Sequence, residues 1–214
     1  MKSDSERDPR AKSGAKSVVR ISSAEFVAGA SSTNQLPPPH EIEIAFAGRS
    51  NVGKSSLLNM LAARNGLART SRTPGCTRQI NFFDVRVAGG PNLVFVDLPG
   101  YGYAKVSKTE SRDWKILLEG YLHDRTTLKG VVVLVDARRG LEQEEFDLIK
   151  FLSVRSELAV VIAATKLDKL PRSMHKPRIK KLMHDAGVAV IGTSADTGMG
   201  REELWARLLQ PLSI

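Results

Sequence analysis

The sequence predicts a three-layer α/β domain built on a six-stranded, mostly parallel sheet with one antiparallel edge strand. Three observations predict it. An alternating run, Glu41–Ala47, leads into a glycine-rich loop and then a helical stretch, Ser56–Leu61. Further on, Val131–Val135, Ala159–Ala164 and Val188–Ile191 are short, nearly continuous apolar runs, as in strands buried on both faces of a parallel sheet. Segments of helical period lie between and after them, marked by Phe146, Leu148, Ile149 and Leu152, and by Leu204, Trp205, Leu208 and Leu209.

Taken in order, residues 1–20 are polar, mixed in charge and without apolar period, and are expected to form a disordered basic tail. The domain is expected to span 21–214. Its first part, 21–40, holds Phe26 and Val27 and then Pro37-Pro38-Pro39, and reads as an irregular lead-in. The first helix should run from Lys54 to about Arg64, with a loop from Asn65 to Gln79. Ile80–Val87 and Leu93–Val96 are extended runs joined by a short Gly-Gly-Pro turn, which makes them an antiparallel hairpin. Phe83, Val85 and Val87 alternate with Asp84 and Arg86, so the first of the pair is expected at a half-exposed edge. Ser107 and Glu110 have capping-box spacing and should open a helix reaching His123. Lys176, Arg178, Lys180 and Lys181 read as a helix surface.

At 214 residues, with 42% hydrophobic and 26% charged side chains, the chain suits one globular domain with a sizeable core. There is no run of eighteen apolar residues, hence no expected membrane span, and no apolar segment behind the basic N-terminus to make a signal peptide. A single cysteine, Cys76, has no internal disulfide partner and fits a reducing, cytoplasmic setting. Two readings fit the formal net charge of +9: a polyanion partner, chiefly nucleic acid, or an enzyme that happens to be basic.

The most specific stretch is Gly48-Arg49-Ser50-Asn51-Val52-Gly53-Lys54-Ser55, which has the G-x-x-x-x-G-K-[ST] spacing of a phosphate-binding P-loop. Gly48 and Gly53 let the backbone turn so that successive N–H groups surround phosphate oxygens, while the new helix points its positive end at them. Lys54 supplies a cation to the β- and γ-phosphates, and Ser55 a hydroxyl for Mg²⁺.

In open α/β sheets ligands bind at the carboxyl ends of strands, so the loops there carry the remaining chemistry. Asp97-Leu98-Pro99-Gly100 places a carboxylate to hold Mg²⁺ through water and a free N–H at Gly100 for a γ-phosphate. Thr165-Lys166-Leu167-Asp168 places a carboxylate that can accept from guanine N1–H and its amino group, a pattern adenine cannot match. The Lys166 stem can lie over the base or over the P-loop. Thr193-Ser194-Ala195 is small enough for a backbone N–H to reach guanine O6.

These loops, in this order, resemble the TRAFAC class of GTPases, and within it the EngB family (also called YihA or YsxC). The marks are GRSNVGKSS at 48–56, the stretch at 68–79, DLPGYGYAKVSK at 97–108, LKGVVVLVDARRG at 128–140 and TKLDKL at 165–170. The likeness covers about residues 21–210. It implies a P-loop GTPase domain, GTP and GDP as ligands, and a role in assembling the large ribosomal subunit, with a link to division septum assembly. It also implies that Thr77 joins Ser55 on Mg²⁺ and that Gly75, Cys76, Thr77, Arg78 and Gln79 line the nucleotide. Thr165 stands where many relatives in the wider class carry Asn.

Tyr101 follows Gly100 where many GTPases place a water-orienting glutamine, so slow intrinsic hydrolysis is expected. In similar GTPases an Asn at the position of Asn51 helps hold K⁺ against the phosphates; a simple turn residue is the other reading. The expected catalytic set is Lys54, Thr77, Gly100 and Asn51. Release of Thr77 and Gly100 on hydrolysis would make a switch. Arg69, Arg72 and Arg78 on one side, and Lys105, Lys108, Arg112 and Lys115 on the other, would then present a nucleotide-dependent basic face to rRNA, or remain solvated charge. A monomeric assembly factor is the expected function. The alternatives are a division-site protein using GTP as a conformational ligand, and a nucleotide kinase, which would need an acceptor site and lid that the guanine-type loop argues against.

Overall fold

The computed structural model describes residues 18–68, 79–100 and 108–210, with side chains in the helix that starts at 108 described from Ile116 on. Seven strands form one sheet in the order β1-β3-β4-β2-β5-β6-β7. They are β1 (Ile21–Ala30), β2 (Ile42–Gly48), β3 (Ile80–Val87), β4 (Asn92–Asp97), β5 (Leu128–Asp136), β6 (Ala159–Thr165) and β7 (Ala189–Gly192). The helices are α1 (Lys54–Leu61), α2 (Lys108–Asp124), α3 (Gln143–Leu152), α4 (Arg172–Ala186) and α5 (Arg201–Leu209). No described helix is long and apolar enough to cross a membrane.

The class is the expected one, and two details differ. Among the described residues the strands number seven, because 21–30 is a strand and not an irregular lead-in. The β3–β4 hairpin forms as expected, but β1 pairs antiparallel along β3, so the single reversed strand lies second from the edge. The reason β1 escapes a period-2 reading is in its register. It slips between Ile21 and Ser23 and again between Phe26 and Ala28, and each bulge resets which side chain faces inward. Ala24 and Ala30 are buried, while Phe26 is 56% exposed and makes an edge contact with the Phe83 ring.

The central strands bury both faces. Along β5, Val131, Val133 and Val135 join one core while Val132 and Leu134 join the other; Ala45 and Ala47 alternate with Ile44 and Phe46 along β2 in the same way. Leu117, Tyr121, Ile149, Leu152 and Leu182 bring α2, α3 and α4 against the first core, and Leu57, Leu61, Trp205 and Leu208 bring α1 and α5 against the second. Trp205 is fully buried, with its indole N–H donating to the Leu61 carbonyl at 3.2 Å. Strand β2 sits between β4 and β5, so the order reverses beside it. The loop after β2 therefore opens at the crevice where such sheets bind ligands.

Candidate nucleotide-binding site

The loop from Gly48 to Ser55 joins the end of β2 to the start of α1, as the motif requires. A Cβ on Gly48 would stand 3.0 Å from Leu134 Cβ and from Val52 Cγ1, so the loop's entry packs too tightly for a side chain. Gly53 has φ of 105° and Asn51 a left-handed φ of 64°. Those two values turn the backbone into a concave rim of N–H groups. The first turn of α1 has no side-chain cap, leaving its N–H groups free for an anion.

Lys54 and Asp97 meet at the mouth of this rim. They form an ion pair with side chains 9% and 6% exposed. Ser55 is half-buried beside Lys54. Leu98 and Pro99 are buried, and Leu98 N–H donates to the Phe46 carbonyl at 3.1 Å, fixing the strand end from which Asp97 projects. Gly100 lies against the P-loop: a Cβ there would be 3.1 Å from both Ser50 N and Ser50 Oγ. The hydroxyl of Ser55 and the carboxylate of Asp97 are hard oxygen donors of the kind that suits Mg²⁺. Among the described residues no cluster of three or more His, Cys, Asp or Glu could hold a metal.

The loop after β6 is strapped to the P-loop. Thr165 Oγ1 donates to the Val52 carbonyl at 2.7 Å and lies 3.2 Å from the Val135 carbonyl. Lys166, with φ of 57°, places its Nζ 2.6 Å from the Asn51 carbonyl, to which it donates. Leu167 N–H donates to the Thr193 carbonyl at 3.1 Å, and Thr193 N–H to that of Ala164 at 2.8 Å, which ties the loops after β6 and β7 together. Asp168 stands at their tip. The Ser194 hydroxyl and then Lys169, 2.9 Å away, hold its carboxyl below the ordinary value, so it remains an acceptor at neutral pH. Ala195 is half-buried next to Ser194.

The structure thus gathers 48–55, 97–100, 165–168 and 193–195 along one edge of the sheet. Gly75, Cys76, Thr77 and Arg78 lie outside the described residues, as do Arg69, Arg72, Tyr101, Tyr103, Lys105 and the side chains of Lys108, Arg112 and Lys115. Gln79 is described, and its amide bonds Asn81 Oδ1 at 3.1 Å and packs on Gly29 of the edge strand.

A second set of residues belongs to the same edge and is not singled out by motif reading. Asp136 closes β5 and is held by Arg138 Nη2 at 2.7 Å and Lys166 Nζ at 3.2 Å. Burial pushes its carboxyl up, but those bonds outweigh it and leave it far below the ordinary range. Arg49 reaches across to Glu142 and lies 3.6 Å from Glu144 at the start of α3. Between these groups is a cavity of about 400 Å³, walled by Arg49, Ser50 and Asn51 on one side and by Asp136, Arg138 and Gly140 on the other. The sequence signal for Asp136 is the one that marks Asp97, an acid directly after a buried apolar run.

A P-loop strand–loop–helix at the reversal of a mostly parallel sheet, with an acid after β4 and a second acid after β6, defines a P-loop GTPase. Residues 43–166 match a family pattern described as "50S ribosome-binding GTPase". The chain is 42% identical over 191 residues to a "Probable GTP-binding protein EngB" of Exiguobacterium, covering 87% of this chain and 94% of the relative. It is 45% identical over 198 residues to the protein of the same description in Desulfatibacillum aliphaticivorans, covering 88% and 91%. A crystal structure of an EngB GTP-binding protein superposes with a TM-score of 0.62 at 25% identity, over 79% of this chain and 98% of that one. The cytosolic domain of the T. maritima FeoB iron transporter in its GDP form superposes at 0.58 with 27% identity, over 83% and 66%. The chain belongs to the EngB family of GTP-binding proteins and is a GTPase.

Proposed function

We propose that this GTPase is a cytoplasmic, nucleotide-switched assembly factor for the large ribosomal subunit, acting as a monomeric G domain from 21 to 214 behind a disordered basic tail. The observation that carries the nucleotide chemistry is the Lys54–Asp97 pair at the P-loop mouth. Each group neutralises the other now, and each is the type of group that a phosphate–Mg²⁺ ligand needs. On binding, Lys54 would turn to the β- and γ-phosphates, and Asp97 would be freed to hold Mg²⁺ through water. Ser55 and Thr77 would supply the hydroxyl ligands for Mg²⁺, an ion that would offset phosphate charge there. The N–H groups of 48–55 cradle the phosphates, Gly100 N–H meets the γ-phosphate, and Gly75 to Gln79 line the nucleotide. Asp168 reads guanine N1–H and the amino group, and the N–H groups at 194–195 reach O6. With Tyr101 in place of a water-orienting glutamine, slow turnover is expected, and Asn51 would help hold K⁺, which would supply charge stabilisation at the phosphates. Hydrolysis in K⁺ buffer should exceed that in Na⁺ buffer severalfold, and equal rates would remove that role from Asn51.

The ribosomal part of the reading is supported by the description of the matched family pattern and by the net charge of +9. The test is co-sedimentation with separated ribosomal subunits, with GDP or a non-hydrolysable GTP analogue, across a salt series. Selective large-subunit binding in the GTP-like state at moderate salt is expected. Binding to both subunits that vanishes with modest salt would reduce the contact to polycation attraction. Tight nucleotide binding with no subunit preference would instead favour a division-site role.

A further inference from the structure

Helix α4 concentrates positive charge that the nucleotide site does not use. It carries five Lys or Arg residues against one acid, Asp185. On the same face of the sheet, α3 carries Glu144, Glu145 and Asp147 against Lys150 alone. Arg172, Lys176 and Lys180 recur every four residues, so they form one ridge spanning about 12 Å on the outward side of the helix. All three are exposed, and among the described residues none has a carboxylate partner. The one acid is already engaged, by Lys181 at 3.1 Å and by His184 at 3.4 Å.

The opposite side of the helix is fixed. Leu182 is buried, and Arg178 donates to the Ala137 carbonyl at 2.5 Å and the Arg138 carbonyl at 3.1 Å. Gly140 makes room for that guanidinium, since a Cβ there would lie 2.9 Å from Arg178 Nη2. His175 lies 3.0 Å from the Leu170 carbonyl, closing the first turn. Because the helix beneath these cations is already ordered, meeting a charged strand would cost side-chain freedom but no backbone ordering.

We propose that this ridge is an RNA-docking surface, with Arg172, Lys176 and Lys180 seated on a phosphate backbone. The proposal rests on the ribosomal reading above and names where the chain touches rRNA. Phosphate contacts of this kind position a protein without reading sequence. Among the described residues, the side-chain anchors of the helix are on the β5–α3 connection and the loop after β6. Its contribution is therefore the same in the GDP and GTP states.

The test is the triple variant Arg172→Gln/Lys176→Gln/Lys180→Gln in the full chain, measured on large subunits and on protein-free large-subunit rRNA, in both nucleotide states. Loss of about three phosphate contacts should make the slope of log K against log salt shallower by about 2 to 3. Affinity at 0.1 M salt should fall at least tenfold on both targets and by the same factor with GDP and with a GTP analogue. GTP affinity and the thermal midpoint should match the unaltered chain, which separates lost docking from lost folding. An unaltered salt slope, with the parent chain binding normally, overturns the proposal. Weaker binding to subunits with unchanged binding to bare rRNA overturns it in favour of an acidic ribosomal protein. If the parent chain itself shows no large-subunit preference, the ribosomal reading fails and the proposal falls with it.

Discussion

Two buried charge clusters sit at opposite ends of the β2 layer, and they are built on opposite plans. At the start of the strand, Glu43 is 1% exposed, and both its oxygens are filled by Tyr121 OH at 2.7 Å and by Arg125 Nε and Nη2 at 2.8 and 2.6 Å. Arg125 also lies over the Phe82 ring, 5.8 Å from its centroid. At the far end, Asp97 has one partner among the described residues, Lys54. Burying charge is costly at both ends, and pairing repays it only where the remaining hydrogen-bonding capacity is met. The Glu43 cluster meets it and is closed. The Lys54–Asp97 pair leaves capacity unused, which makes it able to exchange partners when a ligand arrives. The closed cluster also ties α2, through Tyr121, to the strand that carries the P-loop.

The largest expected effect comes from opening the closed cluster. Glu43→Ala or Arg125→Ala leaves an uncompensated buried charge and should cost about 3–5 kcal/mol, read as a lower urea midpoint at unchanged m-value. Asp97→Asn in the ligand-free protein should cost well under half of that, because the long Lys54 stem can carry its ammonium to water at the open mouth. Equal losses would break the distinction between the two ends.

Next in size is the effect of ligand. At one hundred times the dissociation constant, Mg²⁺–GTP should stabilise the parent chain by about 2.7 kcal/mol. Lys54→Ala should lose that gain at the same nucleotide concentration, whereas Tyr121→Phe, altered only in the closed cluster, should keep it. A full gain in Lys54→Ala would remove Lys54 from the phosphate site.

The difference between the clusters also explains what could be read in advance. The P-loop is a contiguous stretch whose glycines and lysine act through local backbone geometry, so Gly48 to Ser55 names itself. The buried runs of β5 and β6 are equally plain, because both faces are apolar. Contacts between residues distant in sequence were invisible: Arg49 and Glu142 are 93 residues apart, and Glu43 and Arg125 are 82. Asp136 has no motif of its own beyond the end of an apolar run, and it meets Lys166 where β5 and β6 end side by side. Strand β1 was missed because two bulges erase the alternation on which a strand is recognised. Gln79 was placed at the nucleotide by likeness, and its described contacts are with Asn81 and Gly29.

The smallest effect is the most specific to the closed cluster. Burial, and then the Glu43 carboxylate, push the Tyr121 phenol well above its ordinary value. In the unfolded chain the phenol loses its proton near pH 10. Above that pH the folded state binds the extra proton, so stability falls as pH rises; below it the contribution is fully present. Tyr121→Phe should therefore be less stable than the parent at pH 8, by about 1 kcal/mol for the lost hydrogen bond. The gap should narrow between pH 10 and 11, because only the parent carries this alkaline penalty. Urea midpoints of the two proteins at pH 8, 9.5 and 10.5 decide it. Parallel curves would mean that the phenol can ionise in place, and that the cluster at Glu43 is as open to exchange as the one at Lys54.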